Sequence, residues 1–332
     1  MIILALLLCA LLFTYAAPAL WAAPMTFPAA SPISAGDYVY REQALVFTGT
    51  DGRRAATAES VGLYGLSHNI TFIFEETPFQ YNQVSSPTPV FHTEHSWGPG
   101  DISFLPRYTF WERDGVGTTN RLSLIAGALI PVGPHNDSNA YGRLPEILQP
   151  GTGAWATKNG LIFTRQTLNA EIDGYGGFLH HTASDGYRIG NEYFADDSLQ
   201  RRIAPKLADT GVPSVETFLL LETNLIVNQK DTERTTFTAG PAGSISAPIQ
   251  RSQDVGDPMQ SGDLGLVGMT PNLTTGGTLL QFDPGIRFVG KNWGFAALAE
   301  IPGYQSVPEG GPERNLGLLL VYRHVWFTRH HL

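Results

Sequence analysis

Arginines and carboxylates recur inside apolar stretches of this 332-residue chain, on the face opposite the large apolar side chains. In residues 215–228, for example, Glu216 and Glu222 alternate with Leu219 and Leu221. Charges that converge on one face can select a solute by their field and hydrogen bonds, or can pair with each other and fill the space between them. The residues in such positions are Glu75, Arg107, Arg121, Glu171, Asp173, Glu216, Glu222, Asp283, Arg287, Glu300 and Arg323.

A two-residue period of this kind requires β-strands to position the charges. The clearest example is residues 100–133, which consist of two alternating arms joined by a tight polar turn and therefore predict a β-hairpin. In the first arm Phe104 and Tyr108 share one face, whereas Arg107 and Thr109 share the other. Each arm thus has an apolar face and a more polar face that carries an arginine.

The same alternation predicts eleven or twelve strands along the chain, and the composition agrees with an all-β fold. The sequence has 36 Gly, 23 Pro and 15% charged residues, and no long block rich in Ala, Glu, Lys and Leu that would indicate a helix. The further strand regions fall within residues 58–76, 160–167, 169–181, 187–195, 215–228, 280–301 and 316–323.

Either a soluble sandwich or an outer-membrane barrel could place an apolar face beside a mixed one. The usable strand length of roughly 9 to 11 residues matches a tilted transmembrane strand, whereas sandwich strands are commonly about five or six residues long. An arginine facing lipid would cost about 2 to 4 kcal/mol at mid-bilayer, so the charges must face a lumen. The sequence therefore predicts a transmembrane antiparallel up-and-down β-barrel of about twelve strands.

The chain divides into three predicted parts. Residues 1–19 are apolar and end in a small-residue cleavage pattern, which favours a signal peptide cut near Ala19 over a membrane anchor, because the run is short for a spanning helix. Residues 20–57 are expected to be an N-terminal lead-in, unstructured where it is rich in Pro, Ser and Ala, with a candidate first strand at residues 36–48. Residues 58–332 are expected to form the barrel, with long loops near 134–157 and 229–275 on the extracellular side.

Several other functions have no support in the sequence. The net charge of −9 and the absence of a basic stripe argue against a nucleic-acid partner. The only cysteine, Cys9, lies in the predicted signal peptide, so no disulfide is expected. The histidine pairs His92 with His95, His180 with His181 and His330 with His331 do not predict a metal site, since such sites need three or more convergent ligands. No G-x-S-x-G motif is present, and we expect no cofactor and no enzymatic activity.

Five stretches of the chain resemble a known family of outer-membrane transporter-like barrels. The motifs PRYTFW at 106–111, ALIPVG at 128–133 and LQPGTGAW at 148–155, together with the hairpin 63–79 and FDPGIRF at 282–288, are similar to the family named for the MetA pathway of phenol degradation. The resemblance implies a barrel of about twelve strands in a Gram-negative outer membrane, associated with uptake of aromatic or other hydrophobic compounds. The chain departs from the common barrel ending, because its last aromatic residue, Phe327, is followed by five more residues.

The expected function is that of an outer-membrane channel for passive uptake of small, aromatic or hydrophobic molecules, with the lumen charges setting its selectivity. Its expected partners are outer-membrane lipid, a small-molecule solute and the barrel assembly machinery. One alternative is a closed lumen filled by salt bridges, in a structural or adhesion barrel that acts through its long loops. A second alternative is an outer-membrane lipid-modifying enzyme.

Overall fold

The structure is a computed structural model of the full chain, and it is a closed antiparallel barrel of twelve strands. It describes residues 24–50, 52–84, 93–139, 142–144, 148–184, 186–205, 215–237, 266–271, 276–308 and 313–326. The predicted signal peptide, His92, residues 238–265 of the second long loop and the C-terminal residues 327–332 lie outside these ranges. The predicted all-β fold class is confirmed.

The barrel strands are numbered here in chain order. They are β1 (Tyr38–Gly49), β2 (Arg54–Gly65), β3 (Ile70–Val84), β4 (Ile102–Gly115), β5 (Thr118–Ile130), β6 (Ala156–Thr167), β7 (Ala170–His181), β8 (Glu192–Ala204), β9 (Glu216–Asn228), β10 (Gly277–Val289), β11 (Trp293–Ser306) and β12 (Arg314–Trp326).

Each strand pairs with its neighbours in sequence, and β12 pairs with β1 to close the sheet. The closing register runs from Tyr38 opposite Trp326 to Phe47 opposite Gly317. Closure leaves no unpaired sheet edge, which satisfies the backbone N–H and C=O groups without help from water.

Shorter strands lie outside the ring of twelve, on one side of the barrel. Glu94–Gly98 pairs with the far half of β3, and Ser138–Asn139 pairs with Gly142–Arg143 in the loop after β5. In the second predicted long loop, Thr232–Phe237 pairs with Leu266–Pro271 and also with Tyr187–Arg188. None of the described residues belongs to a helix long and apolar enough to cross a membrane.

The two ends of the barrel differ in the length of their connections. At one end, where β1 begins and β12 ends, the links from β2 to β3, β4 to β5, β6 to β7 and β10 to β11 are short, and the link from β8 to β9, residues 205–215, is longer. We call this the terminal end. The opposite end, which we call the loop end, carries the short link after β1, residues 50–53, and the longer links after β3, β5, β7, β9 and β11. The asymmetry matches outer-membrane barrels, whose periplasmic turns are short and whose extracellular loops are longer.

The outer surface is apolar across its middle. Phe104, Tyr108, Leu124, Leu161 and Leu219 are all more than two-fifths exposed there. A soluble monomer rarely exposes a continuous apolar surface of this extent. The alternation predicted for the hairpin of β4 and β5 thus places the apolar face outside the barrel.

Exposed aromatic rings lie near both ends of this apolar band. At the terminal end Tyr38 and Trp326 lie 5.4 Å apart between ring centroids, and Tyr64 is the cross-strand partner of Tyr38. Trp97 and Trp155 are exposed at the loop end. Aromatic rings at both levels are typical of the two interfaces of a bilayer.

The strands are longer than the sequence predicted. They contain 12 to 15 residues, with β3 the longest at 15, whereas about 9 to 11 residues suffice to cross a bilayer. The difference arises because the strands continue into polar sequence toward the loop end, as in the residues Gln80, Tyr81 and Asn82 of β3. Strand pairing outside the hydrocarbon core does not require the apolar alternation on which the prediction was based.

The outer band provides a direct test of which face meets lipid. We expect Leu124→Arg to lower the free energy of unfolding by about 2 to 4 kcal/mol, because it places a charge in the hydrocarbon region. The measurement is denaturant unfolding of the protein refolded in lipid vesicles. Val116→Arg, in the fully exposed turn between β4 and β5, is the matched control and should change little. Equal effects of the two substitutions on the free energy of unfolding would contradict the assignment of the outer apolar face to lipid.

Candidate functional site

The lumen of the barrel is crossed by residues 24–34, which we call the N-terminal segment. Phe27 and Ala30 are 2% and 0% exposed, although the sequence around them is rich in Pro, Ser and Ala. The sequence predicted an unstructured lead-in here, and in the structure the segment has no helix or strand but lies buried in the lumen. The segment enters at the terminal end, next to the start of β1, and contacts the inner wall of β3 to β7 and β9.

The first anchor of the segment is Arg107 on β4. Its guanidinium donates to the carbonyl oxygens of Ala29 and Ser31, the latter at 2.8 Å, and to Thr71 Oγ1 at 3.1 Å. Thr71 Oγ1 in turn accepts from the N–H of Ile33 at 3.1 Å. Arg107 is 2% exposed, so its charge is stabilised mainly by these oxygens.

A second anchor surrounds Ala30 at the middle of the segment. Its carbonyl oxygen accepts from Thr109 Oγ1 at 3.0 Å and from Ser123 Oγ at 2.7 Å. Its N–H donates to Thr164 Oγ1 at 2.8 Å, and that hydroxyl donates to Asp173 Oδ1 at 2.5 Å. Both backbone groups of Ala30 are therefore satisfied by wall side chains, as burial demands.

The third anchor is Glu222 on β9, which is fully buried. Its carboxylate accepts from the N–H of Met25 at 2.7 Å, from the N–H of Thr26 at 3.0 Å and from Thr26 Oγ1 at 2.6 Å. Asn224 lies two residues further along the same face and contacts Thr26 Oγ1 at 3.2 Å. A carboxylate with three donors is a strong, charge-assisted contact.

The composition of the segment suits a buried, extended chain. Pro24, Pro28 and Pro32 have no backbone N–H, so they remove donors that would otherwise need partners inside the lumen. A glycine on the wall makes room for the entry, because a Cβ on Gly65 would lie 2.1 Å from the carbonyl oxygen of Ser34. Small residues and prolines thus allow the wall to contact the backbone of the segment closely.

Apolar contacts hold the other side of the segment. Phe27 stacks on Tyr175, with 6.0 Å between ring centroids, and Tyr175 packs against Phe194 at 4.7 Å. Phe27 and Ala30 share one buried cluster with apolar residues of the inner wall, which are Val61, Ile73, Leu105, Ile125 and Ile162. Met25 belongs to a second cluster with Phe218 and Leu220 of β9. The inner wall is therefore partly apolar, and the alternation of charged residues alone did not indicate this.

Seven of the charged residues selected from the sequence are buried with little or no exposure on the inner wall. Four of them, Glu171, Asp173, Glu222 and Asp283, lie on β7, β9 and β10. We call them the acidic group. Asp283 accepts from Gln281 Nε2 at 2.8 Å and from Asn224. Carboxylates and side-chain amides thus alternate on this part of the wall.

Basic residues lie beside the acidic group, and Arg287 is close enough to Glu171, Asp173 and Glu222 to interact with them electrostatically. Arg107 and Arg287, which are 2% and 1% exposed, border a cavity of about 90 Å³ together with Arg323 and with Glu75, a carboxylate from the same predicted set. Arg287 also donates to Gln200 Oε1 at 2.9 Å. Arg41 on β1 lines the same cavity.

The remaining charged residues pair locally. Arg121 forms an ion pair with Asp114, 2.5 Å away, at the terminal end, and Arg202 pairs with Glu216 at 2.9 Å. Glu300 lies 3.7 Å from Arg314 on the side of the loop end. These pairs stand apart from the N-terminal segment.

Several residues of the site were not selected from the sequence. Thr71, Thr109 and Ser123 share a face with predicted charged residues, and an uncharged hydroxyl on that face is the signal that could have identified them. Arg41 was missed because the first strand alternates poorly. Among the described residues no group of three His, Cys, Asp or Glu converges to hold a metal ion.

Comparisons with known proteins assign the family. The model of the family described as "Putative MetA-pathway of phenol degradation" matches residues 31–250. The chain belongs to this family. The family resemblance predicted from the hairpin and the GTG segment is therefore confirmed. No curated protein matches at a significant level.

Solved structures share the fold. An outer membrane channel from Pseudomonas putida F1 is 12% identical, with a TM-score of 0.57, and the match covers 90% of this chain and 98% of that one. The beta domain of the Bordetella autotransporter BrkA is also 12% identical, with a TM-score of 0.43 over 88% of this chain and 100% of that one. At this identity the first match shows the fold alone: this family member has the fold of an outer-membrane β-barrel.

The third anchor can be tested by amide exchange. We expect Glu222→Ala to speed hydrogen exchange of the amides of Met25 and Thr26 about 10- to 100-fold, because hydrogen bonds to a charged group are worth about 1.5 to 3 kcal/mol. The measurement is exchange followed by mass spectrometry on the peptide that contains residues 24–36. Thr223→Ala, at the neighbouring position on the opposite face of β9, should leave exchange unchanged. Unaltered exchange in Glu222→Ala would show that the segment does not depend on this carboxylate.

Proposed function

We propose that this protein is an outer-membrane channel for passive uptake of small, aromatic or hydrophobic molecules, opened by movement of the N-terminal segment. The observation that carries the proposal is that the segment crosses the lumen and is held there by individual hydrogen bonds to Arg107, Thr109, Ser123, Thr164 and Glu222. These contacts are non-covalent and each can be replaced by water.

A location in the bacterial outer membrane is supported by the apolar outer band and its flanking aromatic rings. The family description and the channel from Pseudomonas putida F1, which shares the fold, favour transport over a purely structural role. The short links at the terminal end, where the segment enters, support a periplasmic location for that end.

The energy that holds the segment allows an open state. A net hydrogen bond contributes about 0.5 to 1.5 kcal/mol, or about 1.5 to 3 kcal/mol with a charged partner, and the conformational entropy lost on ordering the segment offsets part of the total. The docked state is therefore one side of an equilibrium, which a solute can shift by binding preferentially to the undocked state. The lumen in this structure is thus the closed state of the proposed channel.

The inner wall beneath the segment suits a hydrophobic solute. Moving Phe27 and Ala30 away would uncover Tyr175 and Phe194 and the aliphatic residues that surround them. A hydrophobic molecule bound there would replace the apolar contacts that the wall loses when the segment moves, whereas a hydrated ion would not. This supports the uptake of apolar molecules over general ion conduction.

A second candidate is a barrel whose lumen stays closed and whose loops act in adhesion or structure. It is favoured by the filled lumen and by the paired strands Thr232–Phe237 and Leu266–Pro271, which extend the loop end. The two candidates differ in whether the segment ever leaves the wall.

Removal of the segment separates these candidates. We expect a variant lacking residues 24–34 to show stable single-channel conductance in planar bilayers at least several-fold above that of the intact protein, because the lumen is then water-filled. The uptake of phenol into vesicles that contain the variant should rise in parallel. A heat-modifiable barrel that lacks the segment and still conducts no ions and admits no phenol would refute the proposed channel.

A reversible tether tests the movement itself. In a Cys9→Ala background we expect Thr26→Cys with Asn224→Cys to form a disulfide, since these side chains meet at 3.2 Å. Oxidation should abolish uptake of phenol and reduction should restore it. Thr26→Cys alone is the control and should not respond to oxidant. Uptake that persists with the tether closed would show that the segment does not gate the lumen.

A further inference from the structure

The outer surface of β4, β5 and β6 carries two arginines near the terminal end. Arg113 on β4 and Arg165 on β6 are both exposed. Asn120 on β5 lies between them and is the cross-strand partner of each. We call these three residues the arginine row. Adjacent strands lie about 4.8 Å apart, so the Cα atoms of the two arginines are about 10 Å apart. Their long side chains can therefore converge on one group in front of Asn120.

The next row of outer residues toward the middle of the barrel is apolar, and we call it the aromatic row. It consists of Trp111, Leu122 and Phe163, which are cross-strand partners and each lie two residues from a member of the arginine row. The row after that belongs to the apolar outer band and consists of Tyr108, Leu124 and Leu161. Cationic, aromatic and aliphatic side chains in this order match the passage from the headgroups of a bilayer into its hydrocarbon.

The charges of the two arginines are not neutralised within the described part of the chain. Neither Arg113 nor Arg165 forms an ion pair there. Glu112 and Asp114, the sequence neighbours of Arg113, lie on the inner face, where Arg121 contacts them at 3.8 and 2.5 Å. Strand alternation thus separates these carboxylates from the arginine row.

One carboxylate, Asp197 on β8, does lie on the outer face of this part of the sheet. The register separates it from the arginine row, because Arg165 is opposite Ile172, Ile172 is opposite Leu199, and Asp197 lies two residues nearer the loop end. Asp197 forms no ion pair with a described residue. The arginine row therefore presents two positive charges to the surface of the membrane.

The opposite sector of the terminal end has a different character. The corresponding outer positions of β1, β2 and β12 carry Tyr38, Tyr64 and Trp326, which are cross-strand partners in one row. Aromatic rings are the usual residues at the interfaces of an outer-membrane barrel. The paired arginines of β4 and β6 thus mark one sector of the circumference rather than a continuous belt.

We propose that the arginine row binds the phosphodiester headgroup of one anionic phospholipid of the phosphatidylglycerol type, whose acyl chains lie against the aromatic row. Guanidinium groups match the geometry of phosphate oxygens and can bind them through two parallel hydrogen bonds. Two arginines beside one phosphate favour a headgroup without a positive charge. The trimethylammonium group of phosphatidylcholine would lie next to both guanidinium groups and be repelled by them.

This inference does not depend on movement of the N-terminal segment or on transport, because both rows lie on the outer surface. The choice of a phospholipid over lipid A, which also carries phosphates, rests on the proposed periplasmic location of the terminal end, since the periplasmic leaflet of the outer membrane consists of phospholipid. Lipid binding to the purified protein is measured without any uptake. Failure of the lipid site and failure of the proposed channel are therefore distinguishable.

The experiment is a titration followed by native mass spectrometry, in which dioleoylphosphatidylglycerol is added to the refolded full-length protein in non-ionic detergent micelles. We expect one retained lipid per chain, with a dissociation constant at least tenfold lower than that of dioleoylphosphatidylcholine. Glycerol 3-phosphate, which has the phosphate without the chains, should not displace the lipid, and lipid A should compete at least tenfold more weakly than unlabelled phosphatidylglycerol. Equal retention of phosphatidylcholine, or displacement by glycerol 3-phosphate or lipid A, would overturn the proposed ligand.

Variants locate the site. We expect Arg113→Gln and Arg165→Gln each to weaken phosphatidylglycerol binding about fivefold and the double variant about 25-fold, because each basic residue near an anionic lipid surface contributes about that factor. Arg54→Gln, which removes an exposed arginine at the loop end of β2, is the matched control and should bind as the wild type does. Heat modifiability on gels verifies that each variant is folded. Unchanged binding in the folded double variant, or an equal loss in Arg54→Gln, would overturn the site.

Discussion

The hydrogen bonds between the inner wall and the backbone of residues 24–34 are the interaction on which the rest of the structure depends. A lumen that contains Glu222, Asp173 and Arg107 without exposure must give these groups partners. The segment supplies donors to Glu222 and acceptors to Arg107, so the buried charges and the buried backbone satisfy each other. The closed lumen, the cavity beside it and the proposed opening all follow from this arrangement.

Much of the barrel could be predicted from sequence because its strands alternate. The pattern of Leu219 and Leu221 against Glu222 predicted which face of β9 is polar, and in the structure Glu222 is buried while Leu219 is half exposed. Lipid outside and a narrow lumen inside impose this two-residue period on each strand separately. The sequence of each strand alone therefore indicated which of its faces points into the lumen.

The N-terminal segment could not be predicted in the same way. Its contacts join residues far apart in sequence, such as Met25 and Glu222, which are 197 positions apart. Its prolines and small residues resemble those of a loop. An extended chain that is held by hydrogen bonds to its backbone does not need apolar side chains at a regular spacing, so its sequence shows no periodic pattern. The strand that carries Arg41 was equally ambiguous, since the polar run from Tyr40 to Gln43 hides the alternation.

The central claim is that the segment lies within the lumen of the folded protein, and thiol accessibility tests it most directly. Two variants, Ala30→Cys and Val116→Cys, each in a Cys9→Ala background, are refolded into lipid vesicles and treated with a membrane-impermeant maleimide. Ala30 is fully buried against Thr109, Ser123 and Thr164, whereas Val116 is fully exposed. The account predicts that the cysteine at 30 reacts at least a hundredfold more slowly than the cysteine at 116, and that unfolding abolishes the difference. Equal rates in the folded protein would contradict it.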